Sequence, residues 1–280
     1  MKLALPGEER LFAESVRTAI GEWRPAREPE LGAWLDDRDD ELAERLVEAG
    51  WADLWAGVEL LGSAVAGGLE LGRTAAPACL VDEATLGGAL SIAGRARHGS
   101  GATVLAVPRA GGGLALAGAS SASTPEPTLD GSGTVRLVVD VLDALPLPEA
   151  AARWRAWTAV TLAYFAGLAA ATLERSVEHA RTREQFGAPL AALAAVQSRL
   201  ADAALAADGL ELLALASADR DGGIDAPALL WAGDACCEVT AAAHQVHGAV
   251  GFALEAGLHV YHRRARSTQA WAAAACAALR

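Results

Sequence analysis

Aromatic side chains make up only 5% of this 280-residue chain, and a single lysine, Lys2, stands among its basic residues. With few large rings available and 52% of residues hydrophobic, the core has to be aliphatic and small, dominated by Ala and Leu. Alanine has the highest helix propensity, and small side chains let helices approach closely. The scarcity of lysine leaves arginine to carry nearly all positive charge, which we read as codon usage rather than function. Positive charge is itself outnumbered: 23 Lys and Arg against 35 Asp and Glu give a net charge of −12. That balance argues against general nucleic-acid binding or an anionic membrane surface, and leaves room for a local arginine pocket around a phosphorylated ligand. Cysteines are few (Cys79, Cys236, Cys237, Cys276) and lack zinc-ligand or disulfide spacing, so reduced thiols in a cytoplasmic protein are expected. The opening MKLALPGEERLFAESV lacks the uninterrupted apolar run of a signal peptide. The uncharged stretch 156–173 is slightly short for a bilayer span and carries Thr158, Thr161, Thr172 and Gly167, so it reads as a buried core helix.

What is present divides into three textures. Residues 1–100 read as a small helical domain, with helices expected over 8–23, 41–51, 63–73 and 81–93 and a charged, proline-containing loop over 24–40. Residues 101–147 turn to Gly, Ser, Pro and β-branched residues, with strands expected over 103–107, 113–117 and 135–139, making a small β insert. From 148 to 280 the chain reads as four long helices broken at 187–189, 221–223 and the glycines 248 and 251, which makes an antiparallel four-helix bundle. The second of these helices carries Leu193, Val196, Leu200, Ala203, Ala207, Leu210 and Ala214 at steps of three and four. The fold class is therefore mainly α.

Two constellations could carry chemistry. The first is RTREQFGAPL at 181–190: Arg183 offers the planar fork that pairs with phosphate oxygens, Gln185 lies beside it, Phe186 offers a flat face, and Gly187 permits a sharp exit from the helix. Its plainer reading is a solvated charge cluster before a helix-ending glycine. The second is HQVHGAVGF at 244–252, where Gly248 and Gly251 leave backbone N–H groups free to approach an anion and Gln245 can bond an amide or purine edge. A glycine-terminated helix with Phe252 packed back on it is the equal alternative.

Together, these segments resemble the acyl-CoA dehydrogenase family. REQFGAPL, LAAVQSRLAD and QVHGAVGF are similar to that family's R-x-Q-F-G-x-P-L, F-Q-A-V-Q-x-x-L-A-D and Q-x-H-G-G-x-G-F. EAGLHVYHRR at 255–264 resembles the form seen in actinobacterial members that act on steroid and related acyl-CoAs, and EAGWADL at 48–54 and ELGRTAAPACL at 70–80 resemble N-terminal family segments. The resemblance implies an N-terminal helical domain, a reduced β insert and a C-terminal bundle that serves FAD binding and dimerisation. It also implies that Arg183, Gln185, Phe186, Gln245, Val246, His247, Gly248 and Ala249 hold the ADP half of an FAD shared across a subunit interface. Against the family pattern, Leu193 and Ala194 replace Phe-Gln, and Ala249 replaces the second glycine.

The catalytic positions depart further. Family members abstract a proton with a glutamate, whose pKa can rise in an apolar pocket. Alignment puts Trp157 and Ala272 at the two known base positions, so no catalytic residue is expected in this chain. SASTPEPTL at 120–128 does not supply the Thr-Glu-x-x-x-Gly-Ser-Asp type segment that supports the flavin ring in the family. The resemblance thus implies the shorter, non-catalytic subunit of a heteromeric dehydrogenase of lipid or steroid catabolism. Such a subunit pairs with a larger homologous subunit in an α2β2 assembly, or with itself, for an acyl-CoA substrate. A flavin-free scaffold subunit, or a non-redox lyase or cyclase on the same fold, remain as alternatives. His244/His247 and His259/His262 sit three apart, but the Glu-x-x-His pairs of a di-iron bundle do not occur, and no metal is expected. Arg263, Arg264, Arg266 and Arg280 read first as partners of bundle carboxylates, with a phosphate of FAD or CoA as the alternative.

Overall fold

The computed structural model describes residues 7–21, 40–52, 54–56, 60–97, 104–126, 134–219 and 225–280, the side chains of 119–126 and 134–142 excepted. Most of the expected 24–40 loop and the 221–223 break lie outside these residues. Four helices open the chain: α1 (Gly7–Ile20), α2 (Asp40–Glu48), α3 (Leu61–Thr74) and α4 (Cys79–Leu86). Of the apolar stripes expected on α1 and α2, Val16, Ile20, Leu42 and Leu46 are fully buried, whereas Leu11 and Val47 are exposed and Trp23 lies outside the described residues. Arg17 donates from Nε and Nη2 to the Glu70 carboxylate at 2.9 and 2.7 Å, tying α1 to α3.

The helix expected over 81–93 stops early. Gly87 closes α4 in a left-handed turn (φ +80°), and at Gly88 a side chain would stand 2.8 Å from the Val104 carbonyl oxygen. The pair of glycines admits the chain to sheet contact, and β1 (Ala89–Ile92) and β2 (Arg95–Ala96) follow. Residues 89–96, placed in the helical domain by sequence, therefore join the β unit. They combine with β3 (Val104–Arg109), β4 (Gly113–Glu126) and β5 (Thr134–Ala144) in a closed barrel of order β1-β2-β5-β4-β3, in which only β1 and β3 run parallel. Among its described side chains, Ala89, Ala96, Leu105 and Ala117 form a small buried apolar cluster of their own. Closure removes the unpaired edge that so small a sheet would otherwise expose.

The rest is a four-helix bundle: α5 (Leu147–Thr182), α6 (Ala194–Ala218), α7 (Ala226–His247) and α8 (Leu258–Ala278). The 36-residue α5 is long and apolar enough to cross a membrane, yet 89% of its most apolar window is buried within the protein. It is the central strut, packed by α3 on one side and α6 and α7 on another. The approach of α3 is set by glycine: a Cβ on Gly72 would lie 2.2 Å from the Tyr164 carbonyl oxygen, and one on Gly167 2.2 Å from that of Leu69. The Tyr164 hydroxyl locks this junction by donating to the Ala76 carbonyl (2.7 Å), and Tyr261 of α8 donates to that of Arg73 (2.9 Å), tying α8 to the end of α3. On α6, Ala203, Ala207, Leu210 and Ala214 are buried while Leu205 is 73% exposed and Leu212 also faces out.

Candidate functional site

The α5 helix ends where Arg183 turns extended, its N–H bonding back to the His179 carbonyl at 2.8 Å. A tight hairpin follows, β6 (Glu184–Gln185) against β7 (Ala188–Pro189), with Gln185 opposite Ala188. The loop is two residues, Phe186 at φ +56° and Gly187 at φ +82°. Two consecutive positive φ values match the right-handed twist of a hairpin, and Asn, Asp and Gly are the residues that adopt them cheaply. Phenylalanine does not, and the left-handed conformation costs a residue with a Cβ about 1–2 kcal/mol. Yet Phe186 is held there 88% exposed, covered by nothing within the chain. Arg183 and Gln185 are also exposed on this hairpin.

The second constellation arrives at the same place. The α7 helix ends at His247, Gly248 caps it at φ +61°, and a 3-10 turn runs from Gly248 to Phe252. Ala180, Leu190 and Val246 form a separate small core that joins the end of α5, the hairpin exit and the end of α7, with Val196 and Leu200 at its margin. The His179 and His247 rings stack beside it, centroids 4.2 Å apart. Of the residues singled out by sequence, Arg183, Gln185, Phe186, Gln245, Gly248 and Ala249 are exposed there, His247 is half-buried, and Val246 is core, so it offers a ligand only its backbone. His179 was not singled out. Its signal was weak: a histidine one turn before the helix end, with its stacking partner 68 residues away.

The two base positions lie inside the protein. Trp157 is fully buried on α5, its indole N–H donating to Asp82 Oδ1 at 2.8 Å. Asp82 is itself fully buried and accepts from Arg97 Nε at 2.9 Å and Nη2 at 2.6 Å, while Nη2 also donates to the Ala78 carbonyl at 3.1 Å. Burial alone would lower the Arg97 guanidinium, but the adjoining carboxylate outweighs it and raises the pKa. Trp154 packs edge-on against Trp157, and Arg153 lies 3.7 Å over the Trp55 ring. Ala272 is 1% exposed within α8. Asp82 is thus the polar centre of this region, committed to an arginine and a tryptophan. Sequence reading missed it because its partners are 15 and 75 residues away.

The four cysteines are buried free thiols, and burial pushes them up, Cys237 to about 11, which keeps them protonated and unreactive. Among the described residues no three His, Cys, Asp or Glu side chains group as metal ligands. The side chains of 120–126, where the sequence was compared with the flavin-ring segment, are outside the described residues, as are residues 127 and 128. The donors present at the paired turns do fit the ADP half of a dinucleotide: an arginine fork, two amides, an exposed ring and a glycine turn at the end of a helix.

Comparison with known proteins gives this geometry a context. The family model for the acyl-CoA dehydrogenase C-terminal domain matches residues 156–272. Cyclohex-1-ene-1-carbonyl-CoA dehydrogenase of Syntrophus aciditrophicus is 36% identical over 110 residues, 37% of this chain and 27% of that protein. The mitochondrial short-chain specific acyl-CoA dehydrogenase of Bos taurus is 37% identical over 109 residues, 37% of this chain and 26% of the other. The matched region thus spans about a quarter of the length of these relatives. Whole-chain likeness is structural: a variant of the Tcur3481-Tcur3483 steroid ACAD superposes with a TM-score of 0.75 at 20% identity, covering 98% of this chain and 96% of the other. The ChsE4-ChsE5 complex from Mycobacterium tuberculosis gives 0.75 at 20% identity, covering 99% and 96%.

Proposed function

We propose that this chain, whose residues 156–272 match the acyl-CoA dehydrogenase C-terminal domain and which shares the fold of the solved dehydrogenases over almost its whole length, is a subunit of an FAD-dependent acyl-CoA dehydrogenase that completes the cofactor site of a larger homologous partner. Arg183 pairs with the pyrophosphate, Phe186 packs on the adenosine, and Gln185, Gln245 and the backbone of the Gly248 turn close the cradle. FAD, when bound, supplies the hydride acceptor for α,β-desaturation of an acyl-CoA thioester. The proton at Cα goes to a base on the partner, because Trp157 and Ala272 offer none here.

One observation carries this reading: Phe186 stands at a hairpin tip, strained and 88% exposed. Such strain persists where surrounding structure over-determines it and clusters at sites that grip something. Further support comes from the burial of both base positions, and from the fact that two of the similar folds are described as pairs of differently named subunits. The α2β2 assembly, the steroid or fatty acyl substrate and a cytoplasmic setting are proposed on the same footing.

The test is the flavin spectrum. Purified alone, the chain should be colourless and inactive; purified with a full-length dehydrogenase partner it should be yellow, and Arg183→Ala should lower the flavin content of the pair. A yellow chain that dehydrogenates an acyl-CoA unaided overturns the proposal. Flavin content unchanged by Arg183→Ala in a stable pair makes the chain a flavin-free scaffold instead.

A further inference from the structure

Five of the six histidines gather behind the two turns, and the roles assigned above to Arg183, Gln185, Phe186, Gln245 and the Gly248 backbone use none of their side chains. His179 of α5 stacks on His247 of α7 at 4.2 Å and 22°. One turn back along α7, His244 lies against Phe252 (5.1 Å, 30°) and meets His262 of α8 edge-on at 5.6 Å. His259 of α8 acts electrostatically on the same group. With the Ala180–Leu190–Val246 core, these rings join the ends of α5 and α7 to the start of α8, so they connect both turns.

The hydrogen bonds fix how each ring sits. His244 Nδ1 is 2.8 Å from the Gly251 carbonyl and His247 Nδ1 2.9 Å from that of Ala243; a carbonyl only accepts, so both rings carry their proton on Nδ1. The Thr240 hydroxyl lies 3.0 Å from the Cys236 and Cys237 carbonyls and 2.9 Å from His262 Nδ1, which ties the His262 ring of α8 to α7. A further proton on His244 must therefore enter at Nε2 and make an imidazolium. The C-terminal ends of α5 and α7 favour one such cation. A second, on the facing ring of the stack, meets direct repulsion.

We propose that this histidine cluster is a proton-sensitive joint: neutral, it holds the 244–252 turn against the hairpin, and acid opens it. Consistent with that, burial holds His179, His244, His259 and His262 below the ordinary imidazole pKa. The charged neighbours acting on them are cations, Arg183 on His179, Arg263 on His259 and Arg266 on His262, together with the other histidines. The Gly251 carbonyl pulls the other way, on His244. Because the closed form binds fewer protons than the open one, its advantage is complete above about pH 6.5 and is lost as the pH falls through the lowered values.

The consequence for function rests on the cradle reading: a joint that opens in acid releases the shared cofactor, and a bound anion at Arg183 shifts the opening to lower pH. Hydrogen–deuterium exchange on the full chain tests the joint independently of any cofactor. After correction for intrinsic rates, peptides covering 244–258 should exchange about tenfold faster at pH 5.5 than at pH 7.5, while peptides from 61–74 and 156–172 stay protected. His179→Phe keeps a ring on His247 but takes no proton, and should blunt the response. His179→Arg should open the turn already at pH 7.5. Equal exchange at the two pH values, acceleration of the core peptides in step, or an undiminished response in His179→Phe overturns the proposal. A pair that holds no flavin at pH 7.5 would sink the cradle reading alone.

Discussion

Phe186 shows how a single residue can work against its own chain. Asparagine adopts left-handed backbone far more readily, so Phe186→Asn should stabilise the isolated chain by about 1 kcal/mol in urea unfolding while reducing flavin retention by the pair. A gain in both would mean the ring grips nothing. The buried polar centre behaves in the opposite sense. Asp82→Ala leaves the Arg97 guanidinium uncompensated in a dry interior and should cost about 3–5 kcal/mol. Trp157→Phe removes one N–H donor from a charged acceptor together with part of a buried ring, and should cost about 1.5–3 kcal/mol. The same denaturation experiment ranks the two, and Asp82→Ala must be the larger.

At the scale of elements, the helices were the most legible feature, because burying one face of an Ala- and Leu-rich helix writes a step of three and four into the sequence. Residues 63–73 and 8–23 came out as α3 and α1 within three residues at either end. The failure over 81–93 has a physical cause. Apolar runs of this length fit a buried helix and a buried strand equally, and only the packing of Gly88 against the Val104 carbonyl decides that the second half becomes β1. The crossing of α3 and α5 was likewise invisible, since a glycine in a helix says nothing about what approaches it. Gly72→Ala and Gly167→Ala should each wedge these helices apart and cost about 1–3 kcal/mol, read as a lowered Tm, with the hairpin at 184–189 unaffected.

On the scale of the whole molecule, the surface divides by what the chain leaves uncovered. The outer face of α6 carries Leu205 and Leu212, two turns apart and exposed, and the adjoining groove with α7 is lined by Ser198, Arg199, Asp202, Ala206, Glu238 and Ala242. Under the proposed subunit role this face meets another subunit. Leu205→Glu should weaken the assembly at least about tenfold in sedimentation equilibrium while leaving the monomer's Tm within error, because the side chain contributes little to the chain's own core. An unchanged assembly would place the interface elsewhere.

The sequence by itself determined the mainly α character, the long buried helix after residue 147, the family resemblance and the absence of a carboxylate at 157 and 272. Each of these is carried by local periodicity or by the identity of single residues. Only the tertiary structure decided that Trp157 is pinned to Asp82 and Arg97, that residues 89–96 close a barrel, and that His179 meets His247 behind a strained Phe186. Those contacts join residues that are far apart in the chain. Their energies depend on burial and on mutual distance, which are properties of the packed chain and leave no mark on the spacing of the residues that make them.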